Sequence, residues 1–150
     1  MPARTGKQYI QGLKERPPSL HMRGERVKDP TVQPGLKGGI GTLAQLYDLQ
    51  YDPELGSEMT YTSPTSGEPV GMSFLTPRTR EDLEARHKMM ANWARITCGM
   101  MGRTPDFLNV SLMAMASAGD YFAADRPEFK QNIQNYYEFV RENDLVPTHT

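Results

Sequence analysis

Cysteine is almost missing from this chain of 150 residues, where Cys98 stands alone. An internal disulfide is thereby excluded, as is a zinc site built from several thiolates. Long apolar runs are missing too: none approaches the roughly 18–20 consecutive residues that a membrane span needs. The first residues, Met-Pro-Ala-Arg-Thr-Gly-Lys, lack the apolar stretch of a secretory signal, so a cytoplasmic chain with no membrane partner is expected. Nor is there an excess of charge of one sign. Lys+Arg 17 against Asp+Glu 18 gives a formal net charge of −1, so no overall basic field recruits nucleic acid. No P-loop, Gly-x-Gly-x-x-Gly after a strand, His-Glu-x-x-His or Gly-x-Ser-x-Gly occurs. No short signature therefore announces a chemistry.

What is present suits one domain with a sizeable core. A hydrophobic fraction of 37% and a charged fraction of 23% are those of a globular chain, slightly lean in apolar residues. Proline and glycine concentrate in residues 1–78, which predicts short elements joined by turns; residues 79–143 read as three longer helices. Thr5 caps a first helix running to about Arg16, with Tyr9, Ile10 and Leu13 on one face. Residues 20–27 hold a tight turn at Arg23-Gly24-Glu25 between two very short strands. A helix is expected from Gly41 to Gln50, and a hairpin pairs residues 59–62 with 70–75.

Thr79 with Asp82 makes a capping-box-like start, followed by Leu83, Met90 and Ala94 on one apolar face, with Gly99 and Gly102 as stops. Thr104-Pro105-Asp106 then supplies a capping hydroxyl, a proline at the first helical position and an acid in the first turn. That helix is expected to reach about Phe122, lined by Ser111, Ala114, Ala116, Ser117, Ala118 and Gly119 for close packing. Pro127 opens the third, striped by Phe129, Ile133, Tyr136, Tyr137 and Val140. Residues 145–150 leave it extended, as the entrance to something further.

Among residues that carry chemistry, Arg103 sits just before a capped helix start, where a guanidinium and unpaired N–H groups converge on a place for a carboxylate, phosphate or phenolate oxygen. Spacing alone better describes a surface arginine at a helix end. His149 offers a neutral imidazole able to accept a proton, and is otherwise an ordinary solvated side chain. His87 reads as exposed. Of the ten methionines, Met89, Met90, Met100, Met101, Met113 and Met115 read as filling an irregular core; Trp93 and Tyr136-Tyr137 are core or interface aromatics, and residues 78–88 form a solvated face.

Five segments carry a resemblance: Arg4-Thr-Gly-Lys-Gln-Tyr-Ile, Leu46-Tyr-Asp-Leu-Gln-Tyr-Asp-Pro, Met72-Ser-Phe-Leu-Thr-Pro-Arg-Thr-Arg-Glu-Asp-Leu, Met101-Gly-Arg-Thr-Pro-Asp-Phe-Leu-Asn and Glu142-Asn-Asp-Leu-Val-Pro-Thr-His-Thr. Together they make the chain resemble the N-terminal domain of the oxygenase component of 4-hydroxyphenylacetate 3-monooxygenases, two-component phenol hydroxylases that use reduced FAD. The fold implied is mainly α and similar to the N-terminal helical domain of acyl-CoA dehydrogenases, with short β-hairpins. Residues 1–144 would form that domain and residues 145–150 the start of a β-barrel domain that holds flavin.

The resemblance implies ortho-hydroxylation of a phenol such as 4-hydroxyphenylacetate with O2, FADH2 from a separate flavin reductase, and a homotetramer. It makes Arg103 and His149 catalytic. Thr104, Pro105, Asp106 and Phe107 join them in binding substrate, and His149 also touches the cofactor. Hydroxylation needs the phenol oxygen to carry negative charge, and a phenol of pKa near 10 needs a cation or base beside it for that. Where the family has a tyrosine as third partner of the hydroxyl, this chain has Phe107, which leaves another phenol, such as a chlorophenol, open as substrate. The isolated chain is expected to be inactive. A different reading is a non-catalytic helical binding or assembly module, from a truncated or split member.

Overall fold

The computed structural model describes residues 3–99 and 105–147, the side chains of residues 105 and 106 excepted. Helix α1 (Gly6–Glu15) begins at a capping box: the Thr5 hydroxyl accepts from Gln8 N at 3.2 Å, and Thr5 N donates to Gln8 Oε1 at 2.8 Å. It lies on α2 (Lys37–Asp48), and Gly6 is what permits the approach. A Cβ there would collide with the Ala44 carbonyl, while Gly6 N donates to Asp48 Oδ1 at 2.8 Å. Tyr9 stacks on Tyr47 with ring centroids 5.2 Å apart. Helix α2 starts four residues earlier than the expected Gly41, because a turn already formed after Pro34 (Lys37 N to Gln33 O, 2.9 Å) carries Gly38 and Gly39 into the helix.

The short hairpin of β1 (His21–Met22) and β2 (Glu25–Arg26) is as expected, turning through Arg23 (φ 53°) and Gly24 (φ 84°). After α2 a 3₁₀ turn leads to α3 (Gly56–Met59), a helix of one turn that the sequence reading did not anticipate. Strands β3 (Thr60–Thr62) and β4 (Pro69–Gly71) pair antiparallel, Tyr61 opposite Val70. The hairpin is shorter than expected. Met59 closes α3, and Met72–Phe74 wind into a 3₁₀ turn that drives Phe74 into the core.

Helix α4 (Arg80–Thr97) has the predicted Thr79–Asp82 capping box. Its buried face is not the predicted one: Leu83 is 57% exposed and Met90 and Ala94 also face solvent, whereas Met89, Asn92, Trp93 and Thr97 are buried. The reason is Arg86. Its guanidinium donates to the carbonyls of Ser73 (2.7 Å) and Leu75 (3.1 Å), which orients the helix and makes Arg86 a buried member of an otherwise solvated charged run. The helix ends through Cys98 (φ 52°) and Gly99 (φ 67°), consistent with Gly99 as a stop; Gly102 lies outside the described residues.

The next helix also differs from expectation. It breaks into α5 (Pro105–Ser117) and α6 (Gly119–Phe122) rather than running unbroken to Phe122. At the break Gly119 is buried against Lys130, where a Cβ would come within 3.0 Å of Lys130 Cγ. Of the small-residue face, Ala114, Ser117 and Ala118 are exposed, whereas Ala116 packs against the cluster around Phe74 and Gly119 is buried at the break. Helix α7 (Glu128–Glu142) follows Pro127 as expected. Its buried residues are Tyr137, Val140 and Arg141; Phe129 and Tyr136 of the predicted stripe are exposed.

Two apolar clusters make the core. Leu46, Met59, Met72, Met89 and Trp93 join α2, α3 and α4; Phe74, Met113, Tyr137 and Val140 join the 3₁₀ turn to α5 and α7. Met89 and Met113 fill core gaps as anticipated and Met59 and Met72 join them, but Met90 and Met115 are exposed, and Met100 and Met101 lie outside the described residues. Among the described residues no helix is long and apolar enough to cross a membrane.

Candidate functional site

Of the predicted site residues, Arg103, Thr104 and His149 lie outside the described residues. Pro105 opens α5 as predicted, with Asp106 next, and Phe107 in its first turn is 45% exposed. One turn further, Asn109 fixes this helix start to the body of the fold. It is 2% exposed, and its Nδ2 donates to Ser73 Oγ at 2.7 Å. The same 3₁₀ turn is held from the other side by Arg86 and by the Tyr137 hydroxyl, which donates to the Phe74 carbonyl.

The segment leading toward His149 is fixed with equal care. Asp144 follows α7 in the left-handed region (φ 45°), and its carboxylate Oδ2 accepts from Arg4 N and Gln50 Nε2, both at 2.8 Å. Its main-chain carbonyl accepts from Arg4 Nε (2.9 Å), from Arg4 Nη2 and from the Tyr47 hydroxyl (2.8 Å). The Arg4 guanidinium also lies 5.0 Å from the Tyr47 ring centroid. Burial pushes the Asp144 carboxyl above its ordinary value, outweighing the hydrogen bonds from Arg4 and Gln50 and the Arg4 charge. Burial likewise pushes the Tyr47 hydroxyl far up, so it stays a protonated donor. Leu145 then packs against Phe74, Met113, Tyr137 and Val140.

These two anchors share a cavity. Its lining includes Gln50, Ser73, Trp93, Asn109, Asp144 and Leu145, so α5 and the segment after Asp144 leave from neighbouring points. Each of the five segments that carry the resemblance contributes to this knot: Arg4 from the first, Tyr47 and Gln50 from the second, Ser73 from the third, Asn109 from the fourth, Asp144 from the last. No property of residue type marked these six as a group. Their one signal in the sequence is that each belongs to one of these five segments.

A family model described as 4-hydroxyphenylacetate 3-hydroxylase N terminal matches residues 5–150. The chain belongs to this family. Among curated relatives, the 4-hydroxyphenylacetate 3-monooxygenase oxygenase component of Geobacillus sp. (strain PA-9) is 49% identical over 150 residues, 100% of this chain and 30% of that protein. The protein of the same name from Thermus thermophilus is 48% identical over 147 residues, 98% of this chain and 29% of the relative. A crystal structure of such an oxygenase component, in complex with FAD and 4-hydroxyphenylacetate, superimposes with a TM-score of 0.88 at 48% identity, over 96% of this chain and 29% of that one. The chain thus spans under a third of the relatives it matches, and its mainly helical fold with two small hairpins is that of the corresponding part of the 4-hydroxyphenylacetate 3-hydroxylase family.

Proposed function

We propose that this chain is the N-terminal part of a reduced-FAD-dependent monooxygenase that hydroxylates a phenol ortho to its hydroxyl. The observation that carries the reading is the shared anchor: Asn109 of α5 and Leu145 line one cavity, so the segments bearing Arg103 and His149 issue from adjacent, rigidly held points. Such convergence of two distant segments is what a site for one small substrate requires. The likeness to an oxygenase component crystallised with FAD and 4-hydroxyphenylacetate supports the same reading.

In this proposal the Arg103 guanidinium holds the phenol oxygen and favours its anionic form, while His149 takes or shares the proton. Thr104, Pro105 and Asp106 complete the substrate site in this reading, with the backbone N–H groups of Thr104 and Asp106 offered to the same oxygen. Phe107 presents a ring but no donor, which suits a phenol whose hydroxyl is already held by two groups. Reduced FAD, supplied by a separate reductase, provides with O2 the electrophilic oxygen. The cavity under α5, with about 20 Å³ of room, is too small for a flavin ring; in this reading FAD is held by His149 together with the rest of the full-length enzyme. The domain runs to Asp144, and residues 145–150 lead into a β-barrel. Exposed apolar side chains on α4 and α7 give surfaces for further domains and for a homotetramer working in the cytoplasm.

The test joins residues 1–150 to the remaining length of the Geobacillus relative. The chimaera is expected to hydroxylate a phenol with reduced FAD and O2, and the 150-residue chain alone to yield no product. Arg103→Ala in the chimaera should cut turnover strongly while reduced-flavin binding changes little. Undiminished turnover would remove the phenolate role, and product from the chain alone would refute the division of labour.

A further inference from the structure

Three buried side-chain atoms have no hydrogen-bond partner among the described residues: Gln50 Oε1, Trp93 Nε1 and Asn109 Oδ1. Such groups are rare in folded proteins and costly to leave alone. All three residues line one cavity, between the 3₁₀ turn after α2, α4 and α5. Three scattered defects would need three explanations. Three around one small space point to one occupant.

We infer that this cavity is a binding site for a single water molecule. The room within it, about 20 Å³, exceeds the roughly 10–15 Å³ that one water needs and falls short of two or of a larger solute. The chemistry of the wall agrees. Gln50 Nε2 donates to the Arg4 carbonyl (3.2 Å) and to Asp144 Oδ2 (2.8 Å), which fixes the amide and turns Oε1 toward the cavity as an acceptor. Asn109 Nδ2 donates to Ser73 Oγ, leaving Oδ1 as a second acceptor. The Trp93 indole is a donor only. Ser73 also lines the cavity; its oxygen accepts from Asn109, and no described atom takes its proton.

Two acceptors and two donors match what one water offers, two protons and two lone pairs. If the Asn109 amide is turned over, with Ser73 donating to it, the count becomes one acceptor and two donors, and a water still satisfies it. A cation is disfavoured by the indole N–H, and an anion by the two amide oxygens. An apolar gas would leave every one of these groups unpaired.

Held this way, the water ties the 3₁₀ turn after α2 and the C-terminal part of α4 to Asn109, one turn from the start of α5. It would therefore be part of what fixes the helix start.

Trp93 is the one tryptophan of the chain, so its indole N–H is a single, unambiguous magnetic-resonance probe. The wild-type protein should show a cross-peak between this proton and water, with NOE and ROE of opposite sign, the signature of a water that stays for longer than about a nanosecond. Crystals diffracting to high resolution should show one spherical density peak about 2.7–3.2 Å from all three atoms. A cavity without density, or an indole proton with no water cross-peak, overturns the inference. So does an NOE from the indole to a carbon-bound or amide proton filling the space, whether from this chain or from further chain in a longer polypeptide. Both measurements are independent of catalysis, so they do not depend on the proposed function.

Discussion

Arg4 and Asp144, 140 positions apart, hold one another through main chain and side chain at once. Arg4 N reaches the Asp144 carboxylate at 2.8 Å, and the Arg4 guanidinium reaches the Asp144 carbonyl. The pairing is therefore not a simple ion pair: the guanidinium neutralises a carbonyl at the end of α7, while the carboxylate is served by amides. This arrangement closes the fold on itself: α1 packs on α2 and α7 on α5, and the knot ties Arg4, just before α1, to Asp144, just after α7. A buried charge held by neutral donors is sensitive to anything that changes its protonation.

Stability should fall as Asp144 ionises. Its folded value is raised by burial above the ordinary 3.8. The folded state therefore binds the proton more tightly than the unfolded state, and the stability that goes with the neutral form is fully present below about pH 4. It is lost as pH climbs through the raised value. Asp144→Asn removes the titration while keeping an acceptor for Arg4 N. Thermal unfolding of both proteins from pH 4 to pH 7 should show wild type losing ground relative to the variant; parallel curves would contradict the shift.

Arg86→Met should be among the most damaging changes in α4. The variant keeps volume but leaves the Ser73 and Leu75 carbonyls, now bonded at 2.7 and 3.1 Å, without this donor in a buried turn. A loss of about 2–4 kcal/mol follows from unpaired buried acceptors. Chemical denaturation measures it. Because Ser73 also holds Asn109, hydrogen exchange at the first turns of α5 should rise more than elsewhere, an effect a purely global loss would not produce.

The local signals were legible where a residue acts on its own backbone. Thr5, Thr79, Gly24, Gly99 and Pro105 mark starts, turns and stops by chemistry that reaches only a few residues, and the structure uses each as read. Which face of α4 or α7 is buried was not legible, because a lean apolar content leaves several candidate stripes. On α4 a cation, Arg86, decides the matter by capping carbonyls from a different element. The same limit applied to the site. Arg103 and His149 are reactive types and stood out, whereas Asp144 and Asn109 matter through partners more than 30 positions away and had no local mark.

Gly6→Ala should destabilise the protein although alanine is the better helix former. The added methyl meets the Ala44 carbonyl, a backbone atom that cannot swing aside, and Asp48 Oδ2 at 2.8 Å. Separation of α1 from α2 would also strain the Gly6 N to Asp48 bond and the Tyr9–Tyr47 stack. Overpacking of this kind costs about 1–3 kcal/mol. A midpoint of denaturation equal to or above that of wild type would show that the helices part without cost.

Phe107→Tyr tests the proposed site from the side of the substrate. Phe107 lies in the first turn of α5 with nearly half its surface exposed, on the helix whose next turn is pinned by Asn109. A hydroxyl added there leaves the Asn109–Ser73 anchor in place. If the phenol oxygen sits beside Arg103, the new donor adds one hydrogen bond of about 1 kcal/mol, or roughly fivefold in affinity. In the chimaera the gain should appear as a lower KM for 4-hydroxyphenylacetate with kcat little changed, since the bond forms in ground and transition state alike. Phe107→Leu, which removes the ring but adds no donor, should not reproduce it. A KM unmoved by the tyrosine, with Arg103→Ala still cutting turnover, would place the phenol beside Arg103 but away from position 107.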